Sequence, residues 1–265
     1  GARRCSSERP VTNISNELPR QAAAARVGVD VGGTFTDFVV DTGTNIWTFK
    51  LSSTPGDPAD AVIEGLKRIG IEIGTTVVHG STVATNAVLE RRGARTVLVT
   101  TAGFRDVLEI GRQQRSELYA ISPSRPPVLI DRKLRLEVDE RVGADGTVLQ
   151  ALDPTSLEKL VRRVRRVKPE AAAICLLFSF LRPSHERAVR AALRNAGIRW
   201  VSISSEVLPE HREYERSSTT AVDAYVGPAM GRYIGRLERA IKGRLWIVQS
   251  NGGVLKADEA VKAPV

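Results

Sequence analysis

Apolar residues alternate with polar residues and glycines over residues 27–40, in the run VGVDVGGTFTDFVV. β-Branched and aromatic residues on both sides of a glycine pair are typical of two buried strands joined by a tight turn. The next apolar run, over residues 44–54, has the same strand-like character. This part of the chain is therefore predicted to form a three-stranded meander.

After the meander, the period of the apolar residues changes to that of a helix. Asp57 with Pro58 marks a helix start, and Gly70 marks its end. Strand-like and helix-like runs then alternate as far as Pro209, which is typical of parallel strands joined by crossover helices. Over residues 114–153 the pattern is irregular, and a GADG turn between two strand-like runs indicates an inserted β-hairpin.

A long helical pattern covers residues 212–242, and Pro228 is expected to kink or divide it. A strand follows and leads into a second glycine turn. The predicted fold class is α/β with a mixed sheet. Its predicted parts are a disordered leader over residues 1–25, a first lobe over 26–209 and the beginning of a second lobe over 210–265.

Composition agrees with a globular protein, since 42% of the 265 residues are hydrophobic and 26% are charged. The longest apolar run falls short of the roughly eighteen residues that a membrane span requires, so we predict no membrane association. Cys5 and Cys175 cannot form a disulfide framework, and Cys175 lies in an apolar, core-like run. A cytoplasmic location fits this cysteine usage best. The leader is interpreted as disordered or as an expression remnant, with an organelle transit peptide as the alternative.

The net charge of +9 raises the question of nucleic-acid binding. The densest basic run, VRRVRRVK from Val161, also carries apolar residues at helical spacing, so its arginines are predicted to form the solvated face of a helix. No aromatic residues are interleaved with them, and no nucleic-acid-binding motif accompanies them. We therefore predict that the protein has no nucleic-acid partner.

The first glycine turn is the main candidate for chemistry. Glycines can adopt positive φ and present backbone N–H groups to an anion, and neighbouring hydroxyls add donors. The expected phosphate contacts are Gly32, Gly33, Thr34 and Thr36. Asp30 ends the first strand, where it can hold a divalent cation through water, and Asp37 enters the second strand. An ordinary hairpin is the alternative, but the flanking aspartates and threonines favour a phosphate and metal cradle.

Three further segments carry polar groups in suitable places. Thr82, Thr85 and Asn86 follow a strand at the start of a helix, where anions are attracted, although Ser81 or Thr82 could simply cap that helix. Arg112 follows Gly111 and has the planar guanidinium that suits anion recognition. The second glycine turn contains Asn251, Gly252 and Gly253. Such a turn can approach a ligand but is often only structural.

These motifs resemble those of known proteins. DVGGTFTD is similar to the first phosphate loop of the actin, hexokinase and sugar-kinase superfamily. Residues 79–113, 204–226 and 249–253 narrow the resemblance to the hydantoinase A and 5-oxoprolinase family. The resemblance covers nearly everything after Arg26, and its motifs occur in the order of the family. It implies an actin-like, ribonuclease H-like lobe.

The same resemblance implies a function. It is ATP-dependent hydrolysis of a cyclic amide, of the hydantoin or 5-oxoproline type, through a phosphorylated amide, with Mg²⁺ as cofactor. Asp30 and Asp37 would be catalytic, with Asp30 organising the metal, and the two glycine turns would bind ATP. The substrate side would consist of Thr82, Thr85, Asn86 and Arg112. The expected partners are the small cyclic amide, the family's second, B-type subunit and further copies of the chain.

Two alternatives remain at this point. Carboxylases of acetone or acetophenone resemble the same family and phosphorylate an enolate or bicarbonate instead. Alternatively, the chain is a non-catalytic binding or assembly fragment, because the second phosphate loop and the adenosine-binding segment of the family are not found in these 265 residues. The isolated chain is accordingly expected to be inactive and to bind ATP weakly.

Overall fold

The structure is a computed structural model that describes residues 11–13, 26–43, 45–54, 56–71, 73–113, 119, 121, 127–241, 243–249 and 252–261. These residues fall into two compact units. The first comprises described residues of Gly1–Asn86 and Met230–Pro264, and the second those of Ala87–Ala229. The predicted leader lies outside the described residues, apart from a short strand at 11–13.

The strands, in chain order, are β1 (Val11–Asn13), β2 (Arg26–Val31), β3 (Phe35–Asp41), β4 (Ile46–Ser52), β5 (Thr76–Ser81), β6 (Thr96–Thr101), β7 (Arg135–Val138), β8 (Arg141–Val142), β9 (Val148–Gln150), β10 (Ala171–Cys175), β11 (Trp200–Ile203), β12 (Arg244–Val248) and β13 (Val254–Lys256). The α-helices are α1 (Pro58–Ile69), α2 (Val83–Leu89), α3 (Val107–Ile110), α4 (Pro154–Val167), α5 (Ser184–Asn195), α6 (Ser204–Val207), α7 (Glu213–Ala240) and α8 (Ala257–Ala260). A 3₁₀ turn covers Arg132–Leu134.

The first unit is built on a seven-stranded mixed sheet with the order β1-β4-β3-β2-β5-β12-β13. The predicted meander is confirmed, because β3 pairs antiparallel with both β2 and β4. β5 then lies parallel to β2, and β12 lies parallel to β5. The strand at 244–248 therefore completes the same sheet that the glycine turn begins.

Packing on the inner face of this sheet follows the alternation in the sequence. Val27, Val29 and Val31 are buried in β2, and the Phe38 and Phe49 rings stack with their centroids 4.6 Å apart. Helix α1 covers them and has the predicted ends: Asp57 accepts a hydrogen bond from the Ala59 N–H, and Gly70 adopts a left-handed φ of 68°. The meander and its covering helix thus form one apolar core.

The second unit contains a four-stranded, fully parallel sheet with the order β11-β10-β6-β7. Leu160 and Val164 of α4 and Val189 and Leu193 of α5 pack on it. The arginines of α4 that the sequence assigned to a solvated face are exposed, as predicted. Cys175 is buried at the end of β10, and burial raises the pKa of its thiol, which argues against a nucleophilic role.

A buried ionic network holds the carboxyl ends of these parallel strands. The fully buried Arg216 donates hydrogen bonds to the Ser179 and Ser204 hydroxyls and to the Leu176 carbonyl. Glu186, equally buried, accepts from the Ser204 hydroxyl at 2.6 Å. Because a buried charge is costly without partners, this network fixes the start of α7 against the sheet. Arg216 was not identified as a buried residue from the sequence.

The structure corrects or refines several details of the predicted fold. β7, expected in the inserted hairpin, pairs instead with β6 in the main sheet, and only β8 and β9 form the hairpin. Helix α3 has four residues and is shorter than expected, because Gly111, at a φ of 56°, follows its last residue. Helix α7 continues across Pro228, so Pro228 does not divide it, while the expected kink stays a prediction. The two compact units are divided differently, because β12 joins the first sheet. They do not test the domain boundary expected near 209, which stays a prediction.

Within the described part of the chain, no helix combines the length and apolar character needed to cross a membrane.

The contact between α1 and the sheet yields a stability prediction. A Cβ on Gly65 would lie 2.1 Å from the Phe38 ring, whereas a Cβ on Gly235, also in a helix of the first unit, would meet only the Arg239 guanidinium at 3.7 Å. We expect Gly65→Ala to lower the free energy of unfolding by about 1–3 kcal/mol through overpacking. Gly235→Ala is the matched control and should raise it by up to about 1 kcal/mol, through helix propensity. Chemical denaturation would measure both, and equal effects would contradict the packing.

Candidate active site

Three predicted segments meet at one edge of the first sheet. β2, β5 and β12 run parallel and side by side, so their carboxyl ends lie together. The first glycine turn, residues 32–34, follows β2; Thr82 follows β5; and the second glycine turn, residues 249–253, follows β12. Ligands of open α/β sheets bind outside the carboxyl ends of the strands. This edge is therefore the candidate active site.

The first glycine turn is tight but does not use the positive φ that the sequence suggested. Neither Gly32 nor Gly33 lies in the left-handed region. The turn closes through a hydrogen bond from the Gly32 N–H to the Phe35 carbonyl at 3.0 Å, and a Cβ on Gly32 would lie 3.2 Å from that oxygen. A Cβ on Gly33 would meet nothing within 4 Å. The close approach of the Phe35 carbonyl therefore favours glycine at position 32. The backbone of Gly33 and of the exposed Thr34 is accessible to a ligand.

Ser53 supports this turn and was not identified from the sequence. Its hydroxyl donates to the Gly32 carbonyl at 2.9 Å, and its N–H donates to the Thr34 carbonyl at 2.8 Å. The buried Thr36 places its hydroxyl 3.2 Å from that of Ser53. Thr36 therefore braces the turn from inside. The strand register of the meander pairs Phe35 with Ser52. Predicting this register from the sequence would therefore have placed Ser53 next to the turn.

Asp30 and Asp37 are directly opposite each other on β2 and β3, and both are exposed. Residues opposite each other in an antiparallel pair project from the same face. Asp37 forms an ion pair with Lys50 at 3.2 Å. Asp30 also lies opposite Gly80 of β5, where an added Cβ would come within 3.2 Å of its carboxylate. Glycine at position 80 therefore leaves space for the Asp30 side chain at the strand ends.

The carboxylates of Asp30 and Asp37 suit Mg²⁺ better than a metal ion whose ligands all come from the protein. Mg²⁺ is commonly bound by one or two carboxylates, with water and phosphate oxygens completing its octahedron. Asp30 and Asp37 supply that number of carboxylates beside the turn. Among the described residues, no group of three or more His, Cys, Asp or Glu side chains could hold a metal ion by itself. The geometry is compatible with a cation shared with a phosphate ligand.

The segment after β5 is tied to the end of β2. The Thr82 hydroxyl donates to the Val31 carbonyl at 3.0 Å and accepts from the Asn86 side-chain amide at 3.3 Å. Ser81 accepts from the Val83 N–H at 3.2 Å, which is the capping role considered for it. Thr85 is exposed on α2. Thr82 and Asn86 are therefore held at the site by their own hydrogen bonds, and Thr85 lies nearby on the same helix.

The second glycine turn joins β12 to the antiparallel β13. The Gln249 N–H donates to the Gly253 carbonyl at 2.8 Å, and the Gly252 N–H donates to the Gln249 carbonyl at 3.0 Å. Gly252 has a φ of 84°, a conformation that requires glycine here. Asn251 lies outside the described residues. The described glycines of this turn thus reach the same strand edge as Asp30.

A buried histidine lies one strand position behind the site. His79 Nδ1 is 3.2 Å from the Val29 carbonyl, and its Nε2 is 2.7 Å from the Tyr233 hydroxyl. A carbonyl can only accept, so Nδ1 carries the proton and Nε2 accepts from Tyr233. Burial lowers the pKa of His79 to about 4 and raises that of Tyr233. His79 is thus neutral, and it links the strand of Asp30 to helix α7.

Arg112 does not join this cluster within the first unit. It belongs to the second unit, where its Nε donates to Glu215 at 2.7 Å and its guanidinium lies 5.8 Å from the centre of the Tyr214 ring. The hydrogen bond from Arg112 lowers the pKa of Glu215. Glu109, from the same segment, accepts a hydrogen bond from Arg135 at 2.9 Å. Arg112 is therefore held by contacts with Tyr214 and Glu215 within the second unit.

Comparison with known proteins shows the family of this chain. A profile of the hydantoinase/oxoprolinase N-terminal region matches residues 26–197, and a hydantoinase/oxoprolinase profile matches residues 216–265. The chain belongs to the hydantoinase/oxoprolinase family. The first match begins at β2 and the second includes β12, so the strands that form the candidate site lie in family-matched segments.

Three relatives show the range of this family. The caprolactamase subunit alpha of Pseudomonas jessenii is 36% identical over 264 residues, covering 90% of this chain and 38% of the relative. The acetophenone carboxylase gamma subunit of Aromatoleum aromaticum is 31% identical, covering 90% and 36%. 5-Oxoprolinase 1 of Arabidopsis thaliana is 31% identical, covering 86% and 21%. The chain therefore spans well under half the length of each.

Solved structures agree with the fold. The ATP-dependent caprolactamase from Pseudomonas jessenii matches with a TM-score of 0.77 at 34% identity, over 88% of this chain and 36% of that one. A nucleotide-free acetone carboxylase matches with a TM-score of 0.75 at 25% identity, over 88% and 37%. The expected actin-like, mixed-sheet α/β fold of the hydantoinase/oxoprolinase family is thus confirmed.

The environment of His79 gives a pH prediction. We expect its imidazole to titrate near pH 4 in the folded protein, against 6.5 for the unperturbed group. Because the folded pKa is lowered, the stability that depends on neutral His79 is complete above pH 6.5 and is lost as the pH falls toward 4. Titration of the His79 ring by NMR measures the midpoint, with the chain in denaturant as the control. A folded-state midpoint near 6.5 would contradict the buried, hydrogen-bonded placement.

Proposed function

We propose that this chain supplies the first phosphate-binding lobe of an enzyme that hydrolyses a cyclic amide at the expense of ATP. The observation that carries the proposal is the meeting of the glycine turn, Asp30, Thr82 and the Gly252–Gly253 turn at the carboxyl ends of three parallel strands. The family relationship supports it, because relatives are named caprolactamase and 5-oxoprolinase. The solved caprolactamase is named as ATP-dependent.

The chemical logic is activation of a poor electrophile. An unactivated lactam resists attack by water. In the proposed reaction the amide oxygen attacks the γ-phosphorus of ATP and ADP leaves. Water then adds to the activated carbon, and the ring nitrogen takes a proton as the C–N bond breaks, which leaves an acyl phosphate. A second water hydrolyses the acyl phosphate and releases inorganic phosphate. Such phosphoryl transfer depends mainly on positioning and charge neutralisation.

Within this scheme the chain's own groups have distinct tasks. The exposed N–H groups of Gly33 and Thr34 would hold phosphate oxygens, while Ser53 and Thr36 keep the turn rigid. Thr82 and Asn86, with Thr85, would line the neighbouring wall. Asp30, with Asp37, would hold Mg²⁺, which supplies charge neutralisation at the phosphates when it is bound. Asn251, Gly252 and Gly253 would contact phosphate from the second turn.

The complete enzyme is proposed to contain more than this chain. Relatives are named as the alpha subunit of a caprolactamase and the gamma subunit of an acetophenone carboxylase, so the family includes multi-subunit assemblies. We propose a second, B-type subunit as the partner that completes ring opening, and association of further copies of this chain.

A second candidate function is ATP-dependent carboxylation of a ketone. It is favoured by the 31% identity to an acetophenone carboxylase subunit and by the TM-score of 0.75 to acetone carboxylase. Both reactions would use the proposed phosphate site, so the first lobe would serve either. Incubating the complete enzyme with ATP and either lactams or ketones plus bicarbonate separates them by the product that forms.

Replacement of Asp30 tests the proposal. In the complete enzyme, Asp30→Ala should reduce ATP-dependent ring opening by about 100-fold or more, because it removes the proposed metal-organising carboxylate. Folding should be unaffected, since the side chain is exposed. Product formation at saturating Mg²⁺ and ATP is the measurement.

The control for this variant is Asp131→Ala, which removes an exposed carboxylate whose only ion-pair partner among the described residues is Lys133 at 3.3 Å. It should retain full activity. Unchanged turnover in the Asp30 variant, with both variants folded by circular dichroism, would show that the site is misplaced.

A further inference from the structure

The second unit contains a cavity of about 410 Å³ that is not part of the candidate active site in the first unit. Its walls come from residues 108–113, 127–129 and four positions near the start of α7. The volume lies within the range of small-molecule pockets. Most of its lining is apolar, including Leu108, Val128 and Val222, and a few polar groups stand among these side chains. This composition is typical of a site for a small organic ligand.

Two segments that carry the family resemblance converge on this cavity. Residues 108–113 come from the motif at 79–113, and Tyr214, Ser218, Ala221 and Val222 come from the motif at 204–226. They are about a hundred residues apart in the chain. The ion pair between Arg112 and Glu215 joins them across the cavity wall. The cavity is thus where two otherwise separate motifs meet.

The charges around the cavity are already compensated. Two charged residues line the cavity among those that the structure describes: Arg112 is paired with Glu215 at 2.7 Å, and Glu109 with the buried Arg135 at 2.9 Å. A ligand carboxylate would therefore gain little from entering. Compensated walls and apolar side chains favour a neutral ligand over an anionic one.

The remaining polar groups have complementary hydrogen-bonding roles. Among the described residues, Arg112 has a hydrogen-bond partner only at Nε, which leaves its terminal nitrogens as donors. Ser218 donates its hydroxyl hydrogen to the Glu215 carbonyl at 3.2 Å, so its oxygen is available as an acceptor. A donor and an acceptor together match the C=O and N–H of an amide. A ketone would use only the donor.

We propose that this cavity binds a neutral lactam, with Arg112 donating to the carbonyl oxygen, Ser218 accepting from the ring N–H, and the apolar wall contacting the ring carbons. The proposal rests on the proposed function and deepens it, because it favours an uncharged cyclic amide over 5-oxoproline, whose carboxylate the walls do not compensate. It also gives Arg112 a substrate-binding role in the second unit.

Binding to the full 265-residue chain in the absence of ATP tests the site, using four probes of similar size. ε-Caprolactam has both amide groups, N-methylcaprolactam lacks the N–H, cyclohexanone is a ketone, and 5-oxoproline carries a carboxylate. Titrations followed by NMR should show saturable binding of ε-caprolactam, with each of the other probes weaker by roughly two- to tenfold or more. Ser218→Ala should remove the preference for caprolactam over its N-methyl form.

Two further variants locate the ligand. Val222→Phe should fill the cavity and abolish binding, and Arg112→Met should weaken it about tenfold. Arg105→Met is the matched control, because Arg105 pairs with Glu137 and does not line the cavity, and it should bind normally. Absence of caprolactam binding, equal binding of cyclohexanone, or unchanged binding to Val222→Phe would overturn the proposal.

The outcome is separable from that of the proposed function. If the complete enzyme opens lactams with ATP but Val222→Phe leaves its KM unchanged, the cavity assignment fails and the function stands. If lactams bind here but the complete enzyme does not open them, the function fails and the site stands.

Discussion

The parallel alignment of β2, β5 and β12 is the constraint on which the candidate site depends. Hydrogen-bonded pairing brings together the carboxyl ends of strands that are about 50 and 170 residues apart along the chain. The glycine turn, Thr82 and the second glycine turn then meet without any special contact between them. The hydrogen bond from Thr82 to the Val31 carbonyl, and those of Ser53 to the turn, hold this arrangement in place. Loss of the register would move every one of these groups.

Buried polar groups are stabilised in different ways in the two units. Behind the cradle, neutral His79 accepts from Tyr233, so that no charge is buried there. In the second unit, Arg216 and Glu186 are buried as charges and are connected through Ser204. Breaking a buried network of this kind is strongly destabilising. The intact network holds the strand ends in one arrangement. The start of α7, which lines the proposed lactam cavity, is fixed by that network.

The sequence predicted much of this because the relevant signals are local. Alternation identified the meander, Asp57 and Gly70 delimited α1, and glycines flanked by Asp and Thr identified the cradle. The roles of Ser53, Gly80 and Arg216 could not be found in the same way, because each depends on a neighbour brought close only by strand register or packing. β7 was misassigned for that reason, since its pairing with β6 is set by the sheet and not by the nearby GADG turn.

Phosphate binding at the shared strand edge is the central claim, and backbone NMR of this chain tests it most directly. On titration with inorganic triphosphate and Mg²⁺, the account predicts that the amide resonances of Gly33, Thr34, Thr82 and Gly252 shift together with one binding curve. Resonances of the exposed strand β9 serve as the internal reference and should stay constant. Shifts confined to other parts of the described chain, or independent curves for the two glycine turns, would contradict a single phosphate site at the ends of β2, β5 and β12.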